Sequence, residues 1–314
     1  MVLGAGPVGR TLVHSLLDRD LRVRIVTRSG RAQLPEGAEH VTADIADAME
    51  ARRVCTGATV VWGCLGMGYG GWAEQWPPLM AGMLAGAESA RARFIFADNL
   101  YMYGPVDGRL HEGLPLTSYG SKPATRSQLT RMWQRAHRQG RVQVAALRAS
   151  DFFGPAVTAA ALGSMVFGPA IRGRTALLAG DVRMPHSFTF VPDLVRAMLS
   201  VAEADEGAFG EAYHVPSAPA LPIRDVVEMI FHTAGEQPRL NVMPNWMLGA
   251  AGLFNPELRE LGEMMYQWTR PFVVDHSKFG ARFWGDPTSL DDAIWSTVAW
   301  YKSQAAFLSA APSR

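Results

Sequence analysis

A glycine-rich turn near the first residue constrains the fold more than any other feature of the chain. Residues 2 to 9 read Val-Leu-Gly-Ala-Gly-Pro-Val-Gly, an apolar segment followed by three spaced glycines and a helical stretch. In this spacing Gly4 permits a tight turn, Gly6 lets the backbone approach a phosphate, and Gly9 lets the helix pack on the strand. The amide N–H groups at the helix start then face an anion. The turn, including Pro7 and Val8, therefore predicts a pyrophosphate site for a dinucleotide; a purely structural glycine turn is the alternative.

The neighbouring sequence fits a β-α-β unit. A second apolar run, 21–26, begins 12 residues after Gly9, as expected when a strand, a helix and a second strand span roughly 30 residues. Only three residues precede Gly4, whereas a central strand usually has about five or six. We therefore expect the natural chain to start upstream of Met1.

Apolar strand-like runs continue to alternate with helical segments through the first half of the chain. The runs are 58–64, 93–97 and 142–147, and helical patterns occupy 75–92 and 127–139. This alternation predicts an α/β fold with a doubly wound parallel sheet of the Rossmann type. Residues 1–155 are expected to form the dinucleotide-binding domain. Residues 156–314 are expected to form mainly a smaller C-terminal substrate-binding domain, with segments around 180–215 returning to the sheet.

Composition excludes several classes of partner. The net charge is +1, from 30 basic and 29 acidic residues, so neither nucleic acid nor an anionic membrane is favoured.

The two cysteines, Cys55 and Cys64, suggest buried thiols in a reducing compartment rather than disulfides, and no metal-ligand pattern is present. No leader sequence is visible, which favours the cytoplasm. The most apolar stretch, 155–171, contains two glycines and an internal proline, and we expect it to be buried or to line a pocket rather than to span a membrane.

Five further segments, in order, resemble the extended short-chain dehydrogenase/reductase superfamily, in particular its NAD-dependent epimerase/dehydratase group. They are Ala43-Asp44-Ile45, the strand and Tyr-Gly segment 94–105, the Arg-x-x-Asp-x-Phe-Gly-Pro segment 148–155, the Val-x-Asp segment 190–194, and the closing segment 287–301. The resemblance implies a Rossmann domain with a C-terminal substrate domain, and a homodimer. It also implies that Asp44 and Ile45 meet the adenine. Because ligands bind at the carboxyl ends of the strands in such a sheet, Leu65 and Gly66, which follow the run 58–64, are expected to line the cofactor cleft.

The residue that follows the second strand distinguishes between the two nicotinamide cofactors. A carboxylate there accepts both ribose hydroxyls and repels a 2′-phosphate, but this chain has Arg28, 19 residues after Gly9. A guanidinium can bind a phosphate through paired hydrogen bonds. We therefore predict NADP(H) as the preferred cofactor, with NAD(H) left open. The alternative is that Arg28 is a solvated loop charge.

The catalytic motif implied by the resemblance is irregular. The family places a lysine four residues after a catalytic tyrosine, whereas this chain reads Ser118-Tyr119-Gly120-Ser121-Lys122, with Ser118 at the expected tyrosine position. Because positions i and i+3 of a helix share a face, Tyr119 recovers the role of proton donor if the helix includes it; otherwise it is a surface tyrosine. Lys122 is expected to hold the nicotinamide ribose.

At the position of the family's hydroxyl residue stands Asn99, which is expected to orient the substrate oxygen. Two tyrosines just past this strand, Tyr101 and Tyr103, are alternative proton donors, although packing is their simpler role. Of the two, Tyr101 is the one expected to contact substrate.

The predicted substrate site also departs from the family. The arginine that binds the diphosphate of nucleotide sugars falls on His186, and a histidine cannot supply the same permanent paired charge. Arg183 could compensate, but the simpler inference is a substrate that is not a nucleotide sugar. Asp151 replaces the family's asparagine and adds a carboxyl group, and Phe152 follows it. A loop histidine and a locally bonded strand-end carboxylate are the alternatives.

An apolar and aromatic second half suits a hydrophobic or aromatic substrate, although core packing explains most of its residues. They are Phe152, Phe153, Met165, Phe167, Trp246, Met247, Met264, Met265 and Trp268. The leading hypothesis is an NADP(H)-dependent oxidoreductase that acts on a carbonyl, alcohol or activated double bond of a small substrate. The alternatives are an epimerase or dehydratase that retains its cofactor, and a non-redox or cofactor-sensing protein.

Overall fold

The computed structural model describes residues 1–30, 34–68, 70–243 and 262–310, with side chains through residue 305. Its centre is a seven-stranded parallel sheet, and three two-stranded sheets lie outside it.

The strands are β1 (Val2–Leu3), β2 (Arg24–Thr27), β3 (Glu39–Thr42), β4 (Val60–Gly63), β5 (Arg93–Asp98), β6 (Val144–Arg148), β7 (Asp151–Phe153), β8 (Ala176–Ala179), β9 (Pro185–His186), β10 (Phe188–Phe190), β11 (Ala212–His214), β12 (Leu221–Pro222) and β13 (Leu240–Met243). The order in the large sheet is β11-β6-β5-β4-β1-β2-β3, and the small sheets pair β10 with β7, β12 with β9, and β13 with β8. The helices are α1 (Pro7–Leu17), α2 (Ala48–Cys55), α3 (Trp72–Ala90), α4 (Ser121–Arg138), α5 (Gly168–Ala170), α6 (Val191–Ala202), α7 (Ile223–Ala234), α8 (Ser277–Arg282) and α9 (Leu290–Ala310).

Helices cover both faces of the large sheet. On one face α1 packs against α6, and on the other α3 packs between α2 and α4. The strands read as nearly continuous apolar runs because side chains on both faces are buried, as in β6, where all five residues are buried. In the second half of the chain, a separate buried apolar cluster joins α7, α9 and the segment 162–170.

The order and direction of the strands confirm the predicted Rossmann-type α/β fold. The predicted runs 21–26, 58–64, 93–97 and 142–147 overlap β2, β4, β5 and β6, and every boundary agrees to within three residues. Both cysteines are buried and free, as expected, and burial raises the pKa of the Cys55 thiol to about 11 and that of Cys64 to about 12. The apolar stretch 155–171 contributes Leu162, Val166 and Phe167 to a buried cluster. In the described part of the chain, no helix is both long and apolar enough to cross a membrane.

Candidate active site

The glycine turn connects β1 to α1 at the carboxyl edge of the sheet. Gly4 has φ +109°, and a Cβ there would lie 2.6 Å from the carbonyl oxygen of Cys64. A Cβ on Gly9 would overlap the carbonyl oxygen of Gly4, whereas Gly6 faces open space. Glycine is therefore required for a different reason at each position. Gly4 has a positive φ, Gly9 allows the helix to approach the turn closely, and Gly6 leaves the surface open.

The amino-terminal end of α1 is suited to an anion. Pro7 occupies its first turn, and Gly6 precedes it without any capping side chain. The first N–H groups of a helix have no partner within it, and the helix dipole favours negative charge at the same end. With Gly6 exposed and open, the backbone near Val8 fits the pyrophosphate of a dinucleotide.

The other predicted cofactor residues lie on the same edge of the sheet. Arg28 follows β2 and is exposed, and its side chain makes no ion pair within the described residues. Asp44 accepts a hydrogen bond from the Ala46 N–H at 3.0 Å and so forms a local turn, while Ile45 is buried with its carbonyl against Gly82. The loop after β4 brings Leu65 beside Gly4 and leaves Gly66 exposed.

The loop after β5 fixes Asn99 and Tyr101. The side-chain oxygen of Asn99 accepts the N–H of Tyr101 at 3.1 Å, so the amide nitrogen is the end of Asn99 that remains a donor. The ring of Tyr101 stacks on Trp72, with centroids 5.9 Å apart. Tyr103 is buried instead: its hydroxyl lies 2.9 Å from Nε2 of His214 and accepts from Arg148. Burial raises its pKa to about 12, which makes Tyr103 a structural residue rather than a proton donor.

The helical interpretation of Tyr119 is wrong. Helix α4 begins at Ser121, and the preceding Gly120 has φ +55°, so Tyr119 lies outside the helix and does not share a helical face with Lys122. The ring of Tyr119 is 43% exposed and makes an edge contact with Tyr266. The physical reason is the glycine, whose left-handed conformation turns the chain immediately before the helix.

Lys122 is almost completely buried and pairs with a carboxylate that was not among the predicted site residues. Its ammonium lies 3.3 Å from Oε2 of Glu263, and its backbone N–H donates to Oε1 of the same carboxylate at 3.0 Å. The two residues are 141 positions apart. No local spacing could have indicated this contact.

The predicted substrate residues Asp151 and His186 are brought together. Nε2 of His186 lies 2.9 Å from Oδ2 of Asp151, because β7 pairs with β10 and places Asp151 opposite Phe188, two residues beyond the histidine. The imidazole is 1% exposed and stacks against Trp268 and Phe272, at 4.5 and 5.0 Å between centroids. Its Nδ1 is buried without a hydrogen-bond partner in the described part of the molecule.

Other predicted substrate residues take different positions. Phe152 is partly exposed, beside Asp151 on β7. Arg183 does not stand in for a diphosphate-binding arginine, because its guanidinium pairs with Asp181 at 2.8 Å and lies in solvent. Trp246 and Met247 fall outside the described residues.

A buried charge network missed by the sequence analysis lies behind the site. Asp98 contacts Arg126 and Arg148, each at 3.4 Å. The Arg126 guanidinium also lies over the rings of Trp72 and Trp76. Arg126 follows Lys122 by four residues on α4, so helical periodicity from the predicted lysine was the signal that could have found it.

A cavity of about 780 Å³ is lined by other residues. The segments 106–109, 217–220 and 270–276 line it, together with Ser187. None of the predicted cofactor or catalytic residues contributes to its wall, so the site at the sheet edge is identified by its side chains rather than by this cavity.

Comparisons with known proteins agree with the geometry. The model of the NAD-dependent epimerase/dehydratase family matches residues 1–215. Among solved structures, the dTDP-glucose 4,6-dehydratase DesIV of Streptomyces venezuelae, solved as a double mutant with NAD and DAU bound, superimposes with a TM-score of 0.79 at 19% identity, covering 98% of both chains. None of the curated proteins compared matches this chain in sequence.

Two epimerases show the same fold. The UDP-glucuronic acid 4-epimerase of Bacillus cereus, in complex with NAD, has a TM-score of 0.76 at 16% identity and covers 96% of this chain and 98% of its own. The UDP-glucose 4-epimerase of Thermotoga maritima, solved with UDP-glucose, has a TM-score of 0.77 at 15% identity, with coverages of 97% and 98%. At these identities the likeness establishes the fold.

Proposed function

This chain belongs to the NAD-dependent epimerase/dehydratase family, and we propose that within it the protein is an NADP(H)-preferring oxidoreductase for a small substrate without a nucleotide diphosphate. The substrate class is a carbonyl, an alcohol or an activated double bond on an apolar or aromatic molecule. The resemblance to the family further supports a homodimer, and light scattering after size-exclusion chromatography measures the oligomeric state.

The contact between His186 and Asp151 is the observation that carries the substrate proposal. A proton on Nδ1 of His186 would be a buried donor without an acceptor in the described residues. Burying an unpaired donor costs free energy, because the group loses its hydrogen bond to water. The geometry therefore favours one ring proton, on Nε2, donated to the carboxylate. The pair then has a net charge of about −1 where the family resemblance places a diphosphate-binding arginine. A diphosphate would be repelled, whereas a neutral molecule can pack beside Trp268 and Phe272.

The cofactor preference rests on Arg28. The side chain is exposed at the end of β2, within the described residues it is not paired with a carboxylate, and the residue that would exclude a 2′-phosphate is absent from its position. NAD in the solved epimerases and dehydratases is a property of those proteins. Since their identities to this chain are below 20%, Arg28 is the more direct guide to the nucleotide.

The remaining residues take complementary roles in this proposal. A nicotinamide cofactor, when bound, would supply or accept the hydride. Lys122 holds the ribose, and the amide nitrogen of Asn99 donates to the substrate oxygen. Tyr119, which is 43% exposed in the turn before α4, exchanges the proton that balances the hydride, and it does so without sharing a helical face with Lys122.

An epimerase or dehydratase that retains its cofactor is the second candidate, because the solved neighbours carry out those reactions by their names. Titration of the purified protein with NADPH and NADH, read by nicotinamide fluorescence, separates the two. The protein is first denatured and tested for nucleotide carried through purification. Tighter NADPH binding with no carried nucleotide supports the oxidoreductase; retained NAD(H) supports the second candidate, and no binding contradicts both.

A further inference from the structure

The contact between Glu263 and Lys122 has the form of a prepared binding site. The carboxylate is held at both oxygens, by the backbone N–H and by the ammonium of Lys122. The lysine side chain is 1% exposed, while that of Glu263 is 17% exposed. The carboxylate is therefore fixed in position but still reachable from outside.

The start of α4 is shaped to admit this carboxylate. Gly120 has φ +55°, and a Cβ at that position would overlap Oε1 of Glu263. Any other residue at position 120 would be strained and would exclude the glutamate. The carboxylate also satisfies one of the first N–H groups of the helix, which otherwise have no intrahelical acceptor.

The hydrogen-bonding capacity of Glu263 is not exhausted by Lys122. Each carboxylate oxygen offers about two acceptor positions, and one on each is taken by the two bonds to the lysine. The remaining positions can accept O–H donors. A vicinal diol supplies two such donors at neighbouring carbons, and carboxylates bind ribose diols in this way elsewhere in dinucleotide folds.

The charge of the pair also distinguishes among ligands. A lysine alone would attract a phosphate, but Glu263 neutralises Lys122 and leaves the pair without net charge. Such a pair suits a neutral ligand that both donates and accepts. Hydroxyl groups meet this requirement and phosphates do not.

We infer that Glu263 and Lys122 together bind the hydroxyls of the nicotinamide ribose, with Glu263 accepting the hydroxyl protons. This inference rests on the proposed function, because Lys122 is assigned to that ribose by it. It adds a ligand-binding residue from the C-terminal half of the chain. The segment that carries Glu263 also carries Trp268 and Phe272, which stack on His186, so the cofactor would be in contact with the segment that forms part of the substrate site.

The test compares two nucleotides on the Glu263→Gln variant. NADPH contains the nicotinamide ribose, whereas adenosine 2′,5′-bisphosphate contains only the adenosine half of the cofactor. We expect the variant to raise the Kd for NADPH by at least about tenfold, as for a lost hydrogen bond to a charged group. The Kd for adenosine 2′,5′-bisphosphate should change by less than about twofold. If NADH is the tighter nucleotide, NADH and ADP replace the two probes.

A matched control is Glu88→Gln, which removes the charge of a glutamate paired with Arg141 on the surface of α3; it should leave both Kd values unchanged. Should Glu263→Gln not fold, Glu263→Asp, which keeps the charge but shortens the side chain, is expected to weaken NADPH alone. Equal weakening of both nucleotides, unchanged NADPH binding, or tighter NADPH binding overturns the inference. Failure of the wild-type protein to bind NADPH and NADH overturns the proposed function, and the inference with it.

Discussion

The hydroxyl of Tyr103 lies 2.9 Å from Nε2 of His214, in the buried region behind the candidate site. Because Arg148 donates to the tyrosine oxygen, the hydroxyl proton must point to the imidazole. Nδ1 of His214 lies 3.0 Å from the carbonyl oxygen of Asp275 and donates its proton there. These contacts keep the imidazole of His214 neutral, with its proton on Nδ1.

This arrangement predicts a loss of stability in mild acid. Burial, followed by the nearby Arg148 charge, lowers the pKa of His214 to about 3, below the value of about 6.5 expected in the unfolded chain. The unfolded state therefore binds the proton first as the pH falls. The stabilising contribution is complete above about pH 6.5 and is lost progressively towards pH 3, by about 2 kcal/mol between pH 7 and pH 5. Urea unfolding at both pH values measures it.

The His214→Gln variant is the control, since it removes this titration while other groups still titrate. Its free energy of unfolding should depend less on pH than that of the wild type. A wild-type histidine that takes up a proton above pH 5.5 in the folded state, followed by NMR of its ring, would contradict the prediction.

Asp98 is expected to be essential for folding stability. It is the carboxylate that contacts both buried guanidinium groups, Arg126 and Arg148. The substitution Asp98→Asn leaves two buried cations without their charge partner and should cost about 3 to 5 kcal/mol. As a control, Asp107→Asn disrupts an exposed pair with Arg270 and should cost about 1 kcal/mol or less. Equal effects in urea unfolding would show that the Asp98 network contributes little.

The sequence was sufficient to predict the five inner strands of the large sheet, from β6 to β2, because their determinants are local, whereas the edge strand β3 was not predicted. Apolar runs bounded by turn residues indicated β2, β4, β5 and β6, and the spacing of Gly4, Gly6 and Gly9 indicated the turn between β1 and α1. Each of these patterns spans fewer than about 30 residues, the length of one β-α-β unit. Parallel pairing of the strands then follows from the alternation of strands and helices.

The site was predicted only in part because its contacts join distant segments. Asp151 and His186 were each expected at the substrate site, but their contact depends on the pairing of β7 with β10. Glu263 lies 141 residues from Lys122, and nothing in the sequence relates the two. The role of Tyr119 was left to depend on whether helix α4 includes it. The helix does not, because Gly120 adopts a left-handed conformation that the spacing of Tyr119 and Lys122 does not reveal.

Gly120 can be tested directly by substitution with alanine. A positive φ alone costs an alanine roughly 1 to 2 kcal/mol, and at Gly120 the new Cβ would also overlap the Glu263 carboxylate. Gly57→Ala is the matched control, because Gly57 has φ +78° with nothing within 4 Å of the added atom. We expect Gly120→Ala to lower the free energy of unfolding more than Gly57→Ala. Equal losses would indicate that Glu263 moves away without cost.

Arg28 is expected to contribute to the binding of NADPH but not of NADH. A charge-assisted hydrogen bond contributes about 1.5 to 3 kcal/mol, so Arg28→Ala should raise the Kd for NADPH at least about tenfold and leave that for NADH within about twofold. Arg22→Ala removes another exposed arginine, from the loop before β2, and is the control for general charge effects. Tighter binding of NADH than NADPH by the wild type would refute the cofactor preference.

The protonation of His186 determines the charge that a substrate meets, and two substitutions of Asp151 reveal it. If the histidine carries its proton on Nε2 alone, an asparagine oxygen can still accept it, so Asp151→Asn should cost less than about 1 kcal/mol and Asp151→Ala about 1 to 3 kcal/mol. If instead the ring were a cation, removal of the carboxylate charge by asparagine would already cost about 3 to 5 kcal/mol. Urea unfolding gives these differences, and nitrogen chemical shifts of the His186 ring identify the protonated atom. A ring protonated on both nitrogens would leave the pair neutral and remove the argument against a diphosphate substrate.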